Sequence, residues 1–173
     1  MSLETVYDEH IKHVDHVDEN TETLIAPSDL LQLARDQSRA ISLSYAGSVT
    51  PKAAWQVVKE GGAVLVDVRT TEERKFVGHV PDSLHVAWAT GTSLTRNPRF
   101  VKELETRVGG KNTVVLLLCR SGHRSAAAAE AAHAAGFTNV FNVSEGFEGD
   151  LDDKGRRGHI GGWRYHDLPW VQD

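Results

Sequence analysis

One cysteine and one methionine occur in the 173 residues of this chain. A lone cysteine excludes an internal disulfide, a Cys-x-x-Cys redox pair and a zinc site built chiefly from thiolates. No run of about 18 apolar residues occurs, so no membrane-spanning helix and no membrane partner are expected. Positive charge is not in excess: 19 Lys and Arg stand against 24 Asp and Glu, a formal net charge of −5. Such a balance offers no general basic surface, and no nucleic-acid partner is expected. The start, Met1-Ser2-Leu3-Glu4-Thr5, lacks the basic and apolar segments of a secretory signal, so the expected location is cytoplasmic. What remains is a soluble globular composition, long enough for one domain with a core and an additional arm.

The apolar residues concentrate in short unbroken runs. Val114 to Leu118 has no alternation, which predicts a strand buried on both faces, as in a parallel sheet. Cys119 follows it, then Arg120-Ser121-Gly122-His123-Arg124-Ser125, then an alanine run that predicts a helix ending at Gly136. A second run, Ala63 to Val68, contains Asp67 near its C-terminal end. Ser83 to Trp88 and Asn139 to Val143 supply further strands. Helices are expected after Thr50-Pro51, over Thr71 to Val77, and over Phe100 to Val108 before Gly109-Gly110. This alternation predicts an α/β fold of about five mainly parallel strands with helices on both faces.

Residues 1 to about 23 are polar and acidic, and Ser28 is placed to cap an additional helix beginning near Asp29. The expected division is an N-terminal polar arm with that helix over 1–44 and the main domain over 45–173. His10, His13 and His16 in the arm have no evident buried framework to orient them as metal ligands, and no metal is assigned there. Gly110-Lys111-Asn112-Thr113 is not a nucleotide-binding loop, because Glu105 stands where the first glycine of that motif belongs and a helix, not a strand, precedes it. The segment 150–162 is glycine-rich and charged, with Arg156, Arg157 and His159.

The turn after Leu118 carries the candidate chemistry. Thiolate is the reactive form of cysteine, and helix N-termini and cationic neighbours favour it. Cys119 is expected to have both. Successive amides from Arg120 to Ser125 can point inward as an anion-binding nest, with Gly122 supplying the curl. Arg120, His123 and Arg124 form a positive cluster within an acidic chain.

The loop Cys119-Arg120-Ser121-Gly122-His123-Arg124-Ser125 resembles the active-site loop of single-domain rhodaneses of the bacterial type, a family of sulfurtransferases. Leu65 to Arg69 through Glu73 to Gly78-His79-Val80-Pro81 resembles the family's N-terminal signature. Val140 to Phe147 resembles the segment after the active-site helix, and Gly162-Trp163 with Leu168-Pro169-Trp170 resembles the tail of many bacterial members. The resemblance spans about residues 47 to 171. It departs from the common pattern by one additional residue between Arg69 and Gly78, and by Asp82-Ser83 where Gly-Ala is frequent.

The resemblance implies double displacement without a cofactor. Cys119 takes the outer sulfur of a small anionic donor such as thiosulfate, then passes it from a persulfide to cyanide or a thiol acceptor. It also implies substrate binding by Arg120, Ser121, Gly122, His123, Arg124 and Ser125, and a supporting role for Asp67 and Arg69. A persulfide carrier in a thiolation pathway is the alternative purpose for the same chemistry. A cysteine-dependent phosphatase is less consistent, because its Cys-x5-Arg spacing requires arginine at position 125, where this chain has Ser125. The oligomeric state is left open.

Overall fold

The computed structural model describes residues 25–173, so the His10, His13 and His16 cluster lies outside the described residues. Among the described residues there are seven strands and five helices. In chain order they are α1 (Pro27–Ala40), β1 (Gly47–Val49), α2 (Pro51–Lys59), β2 (Val64–Asp67), α3 (Thr71–Val77), β3 (Leu84–His85), β4 (Ala89–Thr90), β5 (Thr95–Arg96), α4 (Phe100–Val108), β6 (Val115–Leu118), α5 (His123–Ala134) and β7 (Val140–Val143).

Five strands form one sheet in the order β1-β7-β6-β2-β3, and every pairing in it is parallel. The central strand is β6, and all four of its residues are completely buried. That burial accounts for its unbroken apolar sequence, because helices cover both faces. Leu117 and Cys119 point to one side, where Phe100 and Leu104 of α4 and Ala128, Ala129 and Ala132 of α5 pack. Leu116 and Leu118 point to the other, against Leu31 and Ala34 of α1, Ala54 and Val57 of α2, and Trp163.

Local chemistry sets most helix ends. Thr50 Oγ1 accepts from the Ala53 N–H at 3.3 Å, with Pro51 in the first turn of α2. Thr70 and Glu73 form a reciprocal capping box on α3. Gly109 closes α4 in the left-handed conformation. Ser28 does not cap α1. The N-cap is Ala26, without a side-chain bond, because Pro27 occupies the first helical turn and its fixed φ starts the helix two residues earlier. α1 packs on the edge strand β1, where a Cβ at Gly47 would collide with the Ala34 carbonyl.

Two segments differ from the sequence expectation. The connection from 90 to 98 contains an antiparallel hairpin, β4–β5, whose residues are mostly exposed and carry no apolar periodicity. The active-site helix begins at His123, three residues before the alanine run, so His123, Arg124 and Ser125 form its first turn. The C-terminal tail packs back on the body. Trp163 is completely buried, stacks edge-on to Trp55 at 6.1 Å and donates from Nε1 to Pro169 O at 2.9 Å. Replacing Trp163 by alanine removes a buried aromatic and leaves a cavity. The expected loss is about 3–5 kcal/mol in urea unfolding, which would show the tail to be part of the cooperative unit.

Candidate active site

Cys119 directly follows β6 and is buried, with 1 % relative exposure. Its Sγ accepts from the Gly122 N–H at 3.1 Å and lies 3.1 Å from Ser125 Oγ. Gly122 has φ of 90°, and a Cβ there would collide with the Ser144 carbonyl. Only glycine therefore brings its amide to the sulfur without moving the neighbouring strand.

A second turn orients this loop. Phe147 N–H donates to Cys119 O at 2.8 Å, while the Glu148 and Gly149 N–H groups donate to Arg120 O at 2.8 and 3.2 Å. With those carbonyls engaged outward, the loop is held from behind. Gly146 makes the approach possible, since a Cβ there would lie 2.6 Å from the Cys119 and Arg120 carbonyl oxygens.

Ser125 and Asn142 are both buried, and Ser125 Oγ lies 2.6 Å from Asn142 Oδ1. A hydroxyl has one proton to donate, so Ser125 serves either Asn142 or the sulfur at any moment. Asn142 was not singled out from sequence. The available signal was a lone polar residue inside the apolar run Val140-Phe141-Asn142-Val143, since a buried amide needs a partner.

The remaining sequence candidates divide into two groups. Cys119, Arg120, Ser121, His123 and Arg124 line one cavity of about 480 Å³, joined by Leu94, Asp150, Leu151 and Arg157. His123 is exposed at the rim with Nε2 3.4 Å from Asp150 Oδ1. Arg124 forms a two-pronged bond with Glu73, at 2.8 and 2.6 Å. Its charge is thus already matched, whereas Arg120 is an exposed residue of the lining.

Burial works against the Glu73 charge. The Arg124 hydrogen bonds, the Thr70 N–H and the nearby guanidinium charges outweigh it, holding the carboxyl below the usual carboxylate range. Glu73 in turn raises the Arg124 pKa above its ordinary value, with burial opposing.

Asp67 and Arg69 lie outside this cavity. Both are completely buried, with Arg69 Nη2 2.7 Å from Asp67 Oδ2. Asp67 also accepts from Arg69 Nε, the Arg69 amide and Arg74 Nη1. Arg69 Nη2 donates to Gly78 O at 2.8 Å, and the guanidinium stacks over Phe147 at 4.1 Å from the ring centroid. The Asp82-Ser83 departure belongs to the same region. Ser83 Oγ accepts from Arg74 Nη1 at 3.1 Å, and Asp82 adopts the left-handed φ of 61° that glycine takes most readily.

A family model described as a rhodanese-like domain matches residues 50–152. The chain belongs to the rhodanese-like family. It is 38% identical over 122 residues to a Rickettsia prowazekii protein named "Uncharacterized protein RP600", covering 69% of this chain and 91% of that one. The crystal structure of Rv0390 from M. tuberculosis matches with a TM-score of 0.66 and 47% identity, covering 75% of this chain and 99% of that one. A crystal structure of thiosulfate sulfurtransferase from Pseudomonas aeruginosa shares the fold at TM-score 0.53 and 16% identity, covering 72% of this chain and 20% of that one. The α/β fold with a five-strand parallel sheet is the one shared across these rhodanese-like structures. Among the described residues, no helix is long and apolar enough to cross a membrane, and no group of three His, Cys, Asp or Glu residues is arranged to hold a metal ion.

Two measurements check the charge network. Asp67→Asn leaves the completely buried Arg69 without its counter-charge, and the expected cost is about 3–5 kcal/mol in chemical unfolding. Glu73→Gln should cost about 2 kcal/mol at neutral pH, the range for hydrogen bonds to a charged group. Because the Glu73 carboxyl is lowered on folding, its contribution is complete above its unfolded pKa and disappears as pH falls through the folded value. The stability gap between wild type and Glu73→Gln should therefore stay constant from pH 7 to about 5 and narrow below about 4.3.

Proposed function

We propose that the chain is a sulfurtransferase whose Cys119 takes sulfane sulfur from thiosulfate, or a related anionic donor, and passes it to cyanide or a thiol. The observation that carries this reading is the pair of buried donors at 3.1 Å from Sγ, the Gly122 N–H and the Ser125 hydroxyl, behind a sulfur that shares one cavity with Arg120, His123 and Arg124. Donors fixed before the reaction stabilise charge on sulfur without reorganising. Membership of the rhodanese-like family supports the same chemistry.

The Cys119 thiolate attacks the outer sulfur of thiosulfate. The new S–S bond forms as the old one breaks, and sulfite leaves with the bonding pair. The outer sulfur remains as a persulfide on Cys119. Cyanide or a thiolate then attacks that sulfur, and the Cys119 thiolate is the leaving group. This is covalent catalysis with a ping-pong pattern. The Gly122 amide donates to the Cys119 thiolate, the Ser125 hydroxyl does so when it turns from Asn142, and Arg120 attracts the donor's oxygens. Within the described residues no second cysteine accompanies Cys119, so the acceptor comes from outside it. A carrier in a thiolation pathway would use these same steps and differ only in its acceptor.

A phosphatase reading is not favoured. Position 125, where its arginine belongs, holds Ser125, which is completely buried and turned toward Cys119. No arginine stands at position 125 to hold a phosphoryl group in the manner of that motif.

Intact-protein mass spectrometry after incubation with thiosulfate should show the gain of one sulfur atom. Cyanide should remove it, and Cys119→Ser should never acquire it. Absence of the gain in wild type would overturn the donor assignment. Arg120→Ala should raise KM for thiosulfate about tenfold, the scale of losing one hydrogen bond to a charged group. Hydrolysis of an aryl phosphate should stay at background.

A further inference from the structure

Two segments outside the cysteine loop reach the cavity that contains Cys119. The β4–β5 hairpin brings Leu94, close to its turn, with φ of 54°. Left-handed backbone is uncommon in residues other than glycine, and a bulky side chain there requires a supporting frame. The frame is present. Arg96 stacks on the Trp88 ring at 3.0 Å from its centroid, and the Asn97 N–H and side chain bond to the Trp88 and Ala87 carbonyls, each at 2.9 Å.

From the other side, segment 150–162 brings Leu151 and Arg157. This segment is ordered by its own bonds. The Asp152 carboxylate accepts from the Lys154 and Arg156 amides and from Arg156 Nε, and Arg157 Nη1 donates to Gly149 O at 2.6 Å. Arg156 pairs with Asp152 on the surface, while Arg157 joins the cavity wall.

Leu94 is 46% exposed and Leu151 52% exposed. A single exposed leucine is unremarkable in a soluble protein. Two of them, delivered by separate braced segments, are the apolar part of a cavity wall whose other side chains, beside Cys119, are the polar or charged Arg120, Ser121, His123, Arg124, Asp150 and Arg157. The cavity, about 480 Å³, lies in the range of sites for organic ligands and exceeds the need of a small inorganic anion.

We propose that Leu94 and Leu151 form an apolar clamp that selects sulfur donors with an organic body behind an anionic head, an organic thiosulfonate in preference to bare thiosulfate. The proposal rests on the reading of Cys119 as the sulfur-accepting thiolate. Arg120 and Arg157 face the sulfonyl oxygens, and the leucines cover the organic group. The Cys119 thiolate bonds to the terminal sulfur of R–SO2–S⁻. The bond from that sulfur to the sulfonyl sulfur breaks, and its electron pair leaves with the sulfinate R–SO2⁻. The Cys119 sulfur is oxidised to the persulfide level, the sulfonyl sulfur is reduced to the sulfinate level, and no proton is consumed.

The test measures the rate at which wild type and Leu94→Ser/Leu151→Ser gain one sulfur atom from thiosulfate, methanethiosulfonate and benzenethiosulfonate. Intrinsic reactivity differs between donors, so the quantity read is the benzene-to-methane rate ratio in each protein. That ratio does not depend on how much of a sample is folded. The expected result is a fall of about tenfold in the double variant, equivalent to about 1.4 kcal/mol. Sulfur gain in wild type with an unchanged ratio in the variant overturns the clamp alone. No gain from any of the three donors overturns the underlying sulfurtransferase reading.

Discussion

The site depends on one backbone contact, the Gly146–Gly149 turn against the carbonyls of Cys119 and Arg120. Three N–H groups of that turn hold those two carbonyls. With the carbonyls engaged on the outside, the loop can curl and bring the Gly122 amide to the sulfur. The approach leaves no room for a side chain at Gly146 or at Gly122. The same turn connects the rest of the molecule. Trp163 N–H and Arg164 N–H bond back to Gly146 and Phe147, and the Phe147 ring supports the Arg69 guanidinium. The thiol loop, the buried ion cluster and the C-terminal tail therefore meet at four residues.

The ion cluster separates charges that hold the structure from charges that face the cavity. Asp67 satisfies Arg69 and Arg74, and Glu73 satisfies Arg124. In the low-dielectric interior an unmatched guanidinium is costly, and Arg69, Arg74 and Arg124 each have a carboxylate within bonding distance. Arg120 and Arg157 are placed differently, in the cavity wall where an anionic ligand would arrive. Arg124 stands between these roles. It lines the cavity, but its geometry is set by Glu73, which approaches from α3 on the far side of the loop.

Much of the fold was legible because it is governed by neighbours in sequence. The Thr71–Val77 and Phe100–Val108 helices have the expected bounds, since a capping Thr-x-x-Glu box begins one and a left-handed glycine closes the other. The strand before Cys119 was readable from five apolar residues in a row. Less was readable where local preference is weak. The first turn of α5, His123-Arg124-Ser125, has no strong propensity or side-chain cap, and the left-handed Gly122 starts the helix there. The β4–β5 hairpin has strands of two residues, exposed but for the buried Ala89, and is held by Arg96 on Trp88 rather than by a repeating apolar pattern.

The sequence by itself determined the alternation of sheet strands and helices, the strand that ends at a thiol, and Gly122, on which the turn after it relies. These follow from apolar periodicity, caps and backbone freedom, which act over a few residues. Only the tertiary structure decided what faces the thiol and what does not. Glu73 pairs with Arg124 across 51 positions, Asn142 reaches Ser125 from β7, and Leu94 and Arg157 enter the cavity from segments on either side of the cysteine loop in the sequence. Those assignments arise from sheet order and from the need of each buried charge for a partner, and neither has a period along the chain.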